Sequence, residues 1–117
     1  MSSSKESAPT PSQVVAELQR VKASMSDAAS KISGLEAERD EHQLVVDTLQ
    51  PLDPKRKCFR LVSGILVERS VGDVLPAVSE NIEGIRRVIG QLQTAYKKKE
   101  AEFIDIQTKY GHLIPTQ

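Results

Sequence analysis

The chain has 117 residues, 38% hydrophobic but only 3% aromatic, and its 16 basic and 16 acidic side chains give a formal net charge of zero. That length suffices for one domain, yet so few aromatics argue against a globular interior of ordinary size. Charges of both signs mixed along the chain exclude recruitment of nucleic acid or an anionic membrane by bulk electrostatics.

The opening MSSSKESAPTPS has no apolar core of the kind a signal peptide needs, and no apolar run approaches the roughly 20 residues that span a bilayer. A soluble protein of the cytoplasm, with the nucleus as a second compartment, is therefore expected, with residues 1–9 a disordered tail and 10–117 a single domain. Thr10-Pro11-Ser12-Gln13 has the form of a capping box: Thr10 caps the backbone, Pro11 suits the first helical position and Gln13 reaches back. From there apolar residues recur at alternating steps of four and three, at Val14, Leu18, Val21, Met25, Ala28, Ile32, Leu35, Val46 and Leu49, with Arg39 and His42 on the same stripe. This heptad pattern predicts a helix over about 11–50, ended by Pro51 and Pro54.

Residues 56–70, RKCFRLVSGILVERS, break the pattern with a dense β-branched and aliphatic run around Ser63-Gly64. A hairpin over about 57–69 is predicted, with Val62 opposite Ile65, Leu61 opposite Leu66, Arg60 opposite Val67 and Phe59 opposite Glu68. Phe59, Leu61 and Leu66 then share one face while Cys58, Val62, Ile65 and Val67 share the other. Both faces are apolar, and a lone two-stranded ribbon is at best marginally stable in water. Two helices cannot bury either face within the chain, so strands from other chains must do so.

Ser70-Val71-Gly72-Asp73 resembles a second capping box, and Val71, Leu75 and Val78 lead into a second helix over about 71–113, kinked slightly at Pro76 and weakened at its first turn by Gly72. Its stripe runs through Val78, Ile82, Ile85, Ile89, Leu92, Tyr96, Lys99, Phe103, Ile106, Tyr110 and Leu113. If the chain reverses at the hairpin, Leu49 meets Val78, Leu35 meets Leu92, Met25 meets Phe103 and Val14 meets Leu113. The fold class is mainly α: a long antiparallel two-helix coiled coil with one β-hairpin between the helices. Arg39 and Lys99 are expected to lay their methylenes along the stripe and keep their charges in water.

No chemistry is suggested beyond binding. There is no glycine-rich phosphate loop, no paired-acid cleft and no nucleophile beside a positioned base, so no catalytic residue, cofactor or metal ligand is assigned. Cys58 stands alone and reads as a small buried hydrophobe, and His42 as a packed or solvated side chain. Lys55-Arg56-Lys57 and Lys97-Lys98-Lys99 lack interleaved aromatics and have acidic neighbours, as solvated surface does.

Residues 41–78, EHQLVVDTLQPLDPKRKCFRLVSGILVERSVGDVLPAV, resemble the central segment of the β-type prefoldin subunits, most closely the eukaryotic subunit-2 branch of that family. The shared pattern falls on Glu41, His42 and Val45; on Arg56 to Arg60; on Gly64 and Leu66 to Arg69; and on Val74, Leu75 and Pro76. Ser63 stands where relatives carry a glycine pair, and Gly72-Asp73 replaces a Lys-Glu. The resemblance implies a chaperone subunit without ATPase activity, in which two α-type and four β-type chains join hairpins into a β-barrel hub. Six coiled coils would hold unfolded clients, such as actin and tubulin, at their tips and deliver them to the cytosolic chaperonin, with no nucleic acid or membrane involved. Phe59, Leu61, Val62, Ile65, Leu66 and Val67 are then the expected assembly residues. Val14, Val15, Leu18, Val21, Phe103, Ile104, Ile106, Leu113 and Ile114 are the expected client-binding tip, where Val15, Ile104 and Ile114 lie off the stripe with no third layer to cover them and the helix ends are expected to fray. The alternative is a structural coiled-coil adaptor whose hairpin merely clips two copies together; a nucleic-acid binder comes third.

Overall fold

The computed structural model describes residues 8–114, so most of the expected N-terminal tail, residues 1–7, lies outside the described residues. The element order is α1 (Pro11–Leu49), β1 (Lys57–Val62), β2 (Ile65–Ser70), α2 (Val71–Tyr110) and a short 3-10 turn (Gly111–Leu113). Two long helices flank one antiparallel hairpin, as the heptad stripes and the central β-branched run predict.

The start of α1 is the reciprocal cap expected from its sequence. The Gln13 N–H donates to Thr10 Oγ1 at 3.1 Å while the Thr10 N–H donates to Gln13 Oε1 at 2.9 Å, satisfying donors that have no partner inside the helix. Every position of the two predicted stripes is buried or half-buried. Arg39 and Lys99 follow that rule: their side chains are only 30% and 34% exposed, and their charged ends reach Asp40 and Glu102 at 3.2 Å and 3.3 Å.

The chain divides into two compact units. One combines Met1–Lys31 with Leu92–Gln117. Val14 and Val21 are buried in it, and Arg20 ties the two helices together by pairing with Glu17 and with Glu102 at 3.2 Å, which also holds Lys99. The other spans Ile32–Gln91 and has its core in Val74, Val78 and Ile82, against which Val46, Leu49 and Cys58 pack. Leu49 therefore packs against the cluster that contains Val78, the residue it is expected to oppose in the antiparallel pairing of the stripes.

The hairpin is fastened to α2 without a linker, because β2 ends at Ser70 and α2 begins at Val71. The first three donors of α2 are all satisfied. Val71 N–H donates to the Arg56 carbonyl and Gly72 N–H to the Pro54 carbonyl, each at 2.9 Å, and Asp73 N–H donates to Ser70 Oγ at 3.2 Å. Gly72 thus has a role beyond a weak helix former: a Cβ there would lie 3.3 Å from the Pro54 oxygen, so the small residue permits the loop to approach. Pro76 lies inside α2 without ending it. The hydrogen bond it removes is the one to the Gly72 carbonyl, on an exposed residue where water can substitute.

Candidate functional site

The hairpin turn is made by Ser63 and Gly64 with φ of +50° and +81°. Positive φ at both central residues is the requirement of the two-residue turn whose twist matches that of the strands it joins. The resulting register is the expected one: Val62 faces Ile65, Leu61 faces Leu66, Arg60 faces Val67 and Phe59 faces Glu68, with Cys58 opposite Arg69.

Because directly opposed residues project to the same side, Phe59, Leu61 and Leu66 form one apolar face, and they are 64%, 68% and 68% exposed. On the other face Val62 and Ile65, near the turn, are exposed as well, whereas Cys58 and Val67, nearer the base, are half-buried. The expectation that neither face could find cover in its own chain is corrected on this second side. Cys58 packs against the Val74, Val78 and Ile82 cluster, because direct fusion of β2 to α2 brings the base of the ribbon against the helix. Cys58 is correspondingly half-buried rather than fully enclosed. The sheet has two strands only, so among the described residues the outer edges of both β1 and β2 carry unpaired backbone groups.

The expected tip residues lie in the other unit and do not share one environment. Val14 and Val21 are 2% and 0% exposed and belong to its core; Val15, Leu18, Phe103, Ile106, Leu113 and Ile114 are half-buried; Ile104 is 56% exposed. At the helix ends α1 carries its reciprocal cap, and Ile114 N–H donates to the Gly111 carbonyl at 3.1 Å after α2. Val14, Leu18, Val21, Phe103, Ile106 and Leu113 are covered because they lie on the heptad stripe, whereas Val15 and Ile114 lie off it and are still half-buried.

Sequence reasoning missed Leu44, Val45 and Val88, which are exposed apolar side chains of the hairpin-bearing unit. The signal was present in the run Leu44-Val45-Val46, where the stripe uses Val46 alone. His42 sits on the stripe half-buried, its Nδ1–H donating to the Glu38 carbonyl at 2.8 Å. The described residues hold no cluster of three or more His, Cys, Asp or Glu side chains placed to bind a metal, and no helix long and apolar enough to cross a membrane.

Comparison with known proteins agrees with this architecture. Residues 12–117 match the family model described as "Prefoldin subunit". The chain is 41% identical over 93 residues to prefoldin subunit 2 of Arabidopsis thaliana, covering 80% of this chain and 63% of that protein. It is 36% identical over 108 residues to the probable prefoldin subunit 2 of Dictyostelium discoideum, covering 92% and 93%. The chain thus spans a little under two thirds of the Arabidopsis relative and nearly all of the Dictyostelium one. The crystal structure of the prefoldin beta subunit from Thermococcus strain KS-1 superposes with a TM-score of 0.82 over 96% of this chain and 99% of that one; at 14% identity this is a likeness of fold. A heptad-striped helix pair joined by an I′-turned apolar hairpin, with a family match that begins one residue past the Pro11 start of α1, places this chain in the prefoldin subunit family.

Proposed function

We propose that this chain is a subunit of a hexameric prefoldin co-chaperone of two α-type and four β-type chains. It works by binding rather than catalysis: it holds unfolded proteins, of the actin and tubulin class, and passes them to the cytosolic chaperonin without ATP hydrolysis. Its place of work is the cytoplasm, with the nucleus as a second compartment. The observation that carries the assembly function is the exposed hairpin, in which Phe59, Leu61, Val62, Ile65 and Leu66 face water beside open strand edges while Val67 is partly covered. Burying each such side chain contributes on the order of 1.5–3 kcal/mol, enough in sum to offset the entropy of joining subunits. Client contact is assigned to the Met1–Lys31 and Leu92–Gln117 unit. There Ile104 is already exposed, and the half-buried Val15, Leu18, Phe103, Ile106, Leu113 and Ile114 become available, with Val14 and Val21, when the helix ends separate.

The test is Leu66→Asp, which sets a charge on the exposed apolar face. It should leave the helical signal of the isolated chain intact and abolish co-assembly with α-type and β-type prefoldin subunits, read as native mass. Normal co-elution of this variant with those partners refutes the assembly scheme. A chain that forms only homodimers when co-expressed with them supports the coiled-coil adaptor instead.

A further inference from the structure

The turn of the hairpin carries a hydroxyl that the strand pairing does not use. Positive φ at the first turn position is what glycine adopts freely, yet Ser63 holds it at +50°, alone among the described non-glycine residues. Strain of this kind concentrates where a side chain is used. The Thr10 and Ser70 oxygens cap helices, and the Thr48 and Thr108 hydroxyls donate to carbonyls one turn back. Ser63 is exposed, and its hydroxyl has no hydrogen-bond partner among the described residues. Its place in the sequence sets it apart as well. Of all the serines and threonines in the chain, Ser63 alone has a basic residue three positions before it, Arg60.

Arg60, Leu61 and Val62 belong to β1, so the segment leading to Ser63 is already extended, and all three residues are exposed. The Arg60 guanidinium makes no ion pair with any described residue and is available to a carboxylate from outside. An arginine at that fixed distance before an exposed hydroxyl is a charge pattern by which protein kinases choose a serine. We propose that Ser63 is a phosphorylation site for an arginine-directed serine/threonine kinase, and that the modification keeps this chain out of its assembly. Ser63 Oγ attacks the γ-phosphorus of ATP: the Oγ–P bond forms, the bond from phosphorus to the β-phosphate oxygen breaks, ADP leaves, and the hydroxyl proton passes to the kinase's catalytic aspartate. The product carries a charge of about −1.5 to −2 at pH 7. It stands in the turn between Val62 and Ile65, which are 47% and 67% exposed and form the turn-side end of the apolar surface that assembly buries. A phosphate there has to give up its water against hydrocarbon, which disrupts an apolar interface.

The block to assembly rests on the function proposed above, whereas phosphorylation itself does not. The full chain is incubated with magnesium-ATP and an arginine-directed serine/threonine kinase, and the phosphate is located by mass spectrometry. It should fall on Ser63, at least ten-fold more slowly in Arg60→Ala, and Arg60→Lys should recover part of the rate. Phosphate on other residues with none on Ser63, or an Arg60→Ala rate equal to wild type, overturns the site. Co-assembly of the phosphorylated chain with α-type and β-type partners should weaken at least ten-fold by native mass titration and return after phosphatase treatment. Undiminished co-assembly of the phosphorylated chain overturns the regulatory effect and leaves the site standing. If the unmodified chain joins no prefoldin-type partner, the assembly function falls and the regulatory effect falls with it, while the site stands on the kinase result.

Discussion

Gly72 donates its backbone N–H to the Pro54 carbonyl at 2.9 Å, and a Cβ added to Gly72 would sit 3.3 Å from that same oxygen. Gly34, within α1, has nothing within 4 Å of the equivalent position. Gly34→Ala should therefore raise stability by roughly 0.5–1 kcal/mol, the usual gain for alanine over glycine in a helix. Gly72→Ala should fall short of that gain, because the loop must shift to admit the methyl group. Urea denaturation of the two variants side by side checks the difference.

Ser63 occupies the left-handed region at φ +50°, a conformation that costs a residue with a Cβ roughly 1–2 kcal/mol. Ser63→Gly should remove most of that strain and Ser63→Asn part of it, each raising the melting temperature of the hairpin-bearing unit. Ser63→Val should lower it. The order Gly or Asn above Ser above Val in thermal melts is the expected outcome.

Val21 is 0% exposed in the core of the unit that combines the start of α1 with the end of α2. Val21→Ala should cost about 1–3 kcal/mol through lost burial and the cavity left behind. Ile104→Ser, on an exposed side chain, should cost less than about 0.5 kcal/mol while lowering suppression of client aggregation. Denaturation and a light-scattering assay on the same two proteins separate the packing role from the binding role.

The hydrogen bond from Arg20 holds the Glu17 carboxyl below the ordinary glutamate range, while Arg20 is shifted upward by the same partner, with Glu102 adding to the effect. A depressed carboxyl pKa means a stabilising contribution that is complete above the unfolded-state value of about 4.3 and is lost as pH falls through the lower folded value. Arg20 stays charged throughout that window. Carbon-detected NMR titration should place Glu17 below an ordinary glutamate in the native chain, and Arg20→Ala should return it to the ordinary range.

Much of this fold was legible because it repeats. A stripe recurring every three or four residues states which side of each helix is covered, and every predicted stripe position is at least half-buried, including the charged Arg39 and Lys99. The hairpin register followed from Ser63-Gly64, since a two-residue turn leaves one way to pair Val62 with Ile65. What escaped was local and depended on approach in three dimensions. Nothing in the order of residues says that the Pro54 carbonyl needs room beside Gly72, or that the base of the ribbon leans Cys58 onto Val74 and Val78. Burial at the tip was likewise hidden: Val14 and Val21 are taken up by the packing that makes the stripe, so they can meet a client only if the helix ends separate.

The two helices do not meet the ribbon on equal terms. Residues 50–56 separate α1 from β1, whereas Ser70 both ends β2 and caps α2. The second strand runs into its helix through one shared residue, while the first is joined to its helix by a loop whose Pro54 and Arg56 carbonyls are held by the first turn of α2. Within the Ile32–Gln91 unit, a subunit that grips the ribbon therefore reaches α2 through a single shared residue and α1 only by way of the loop.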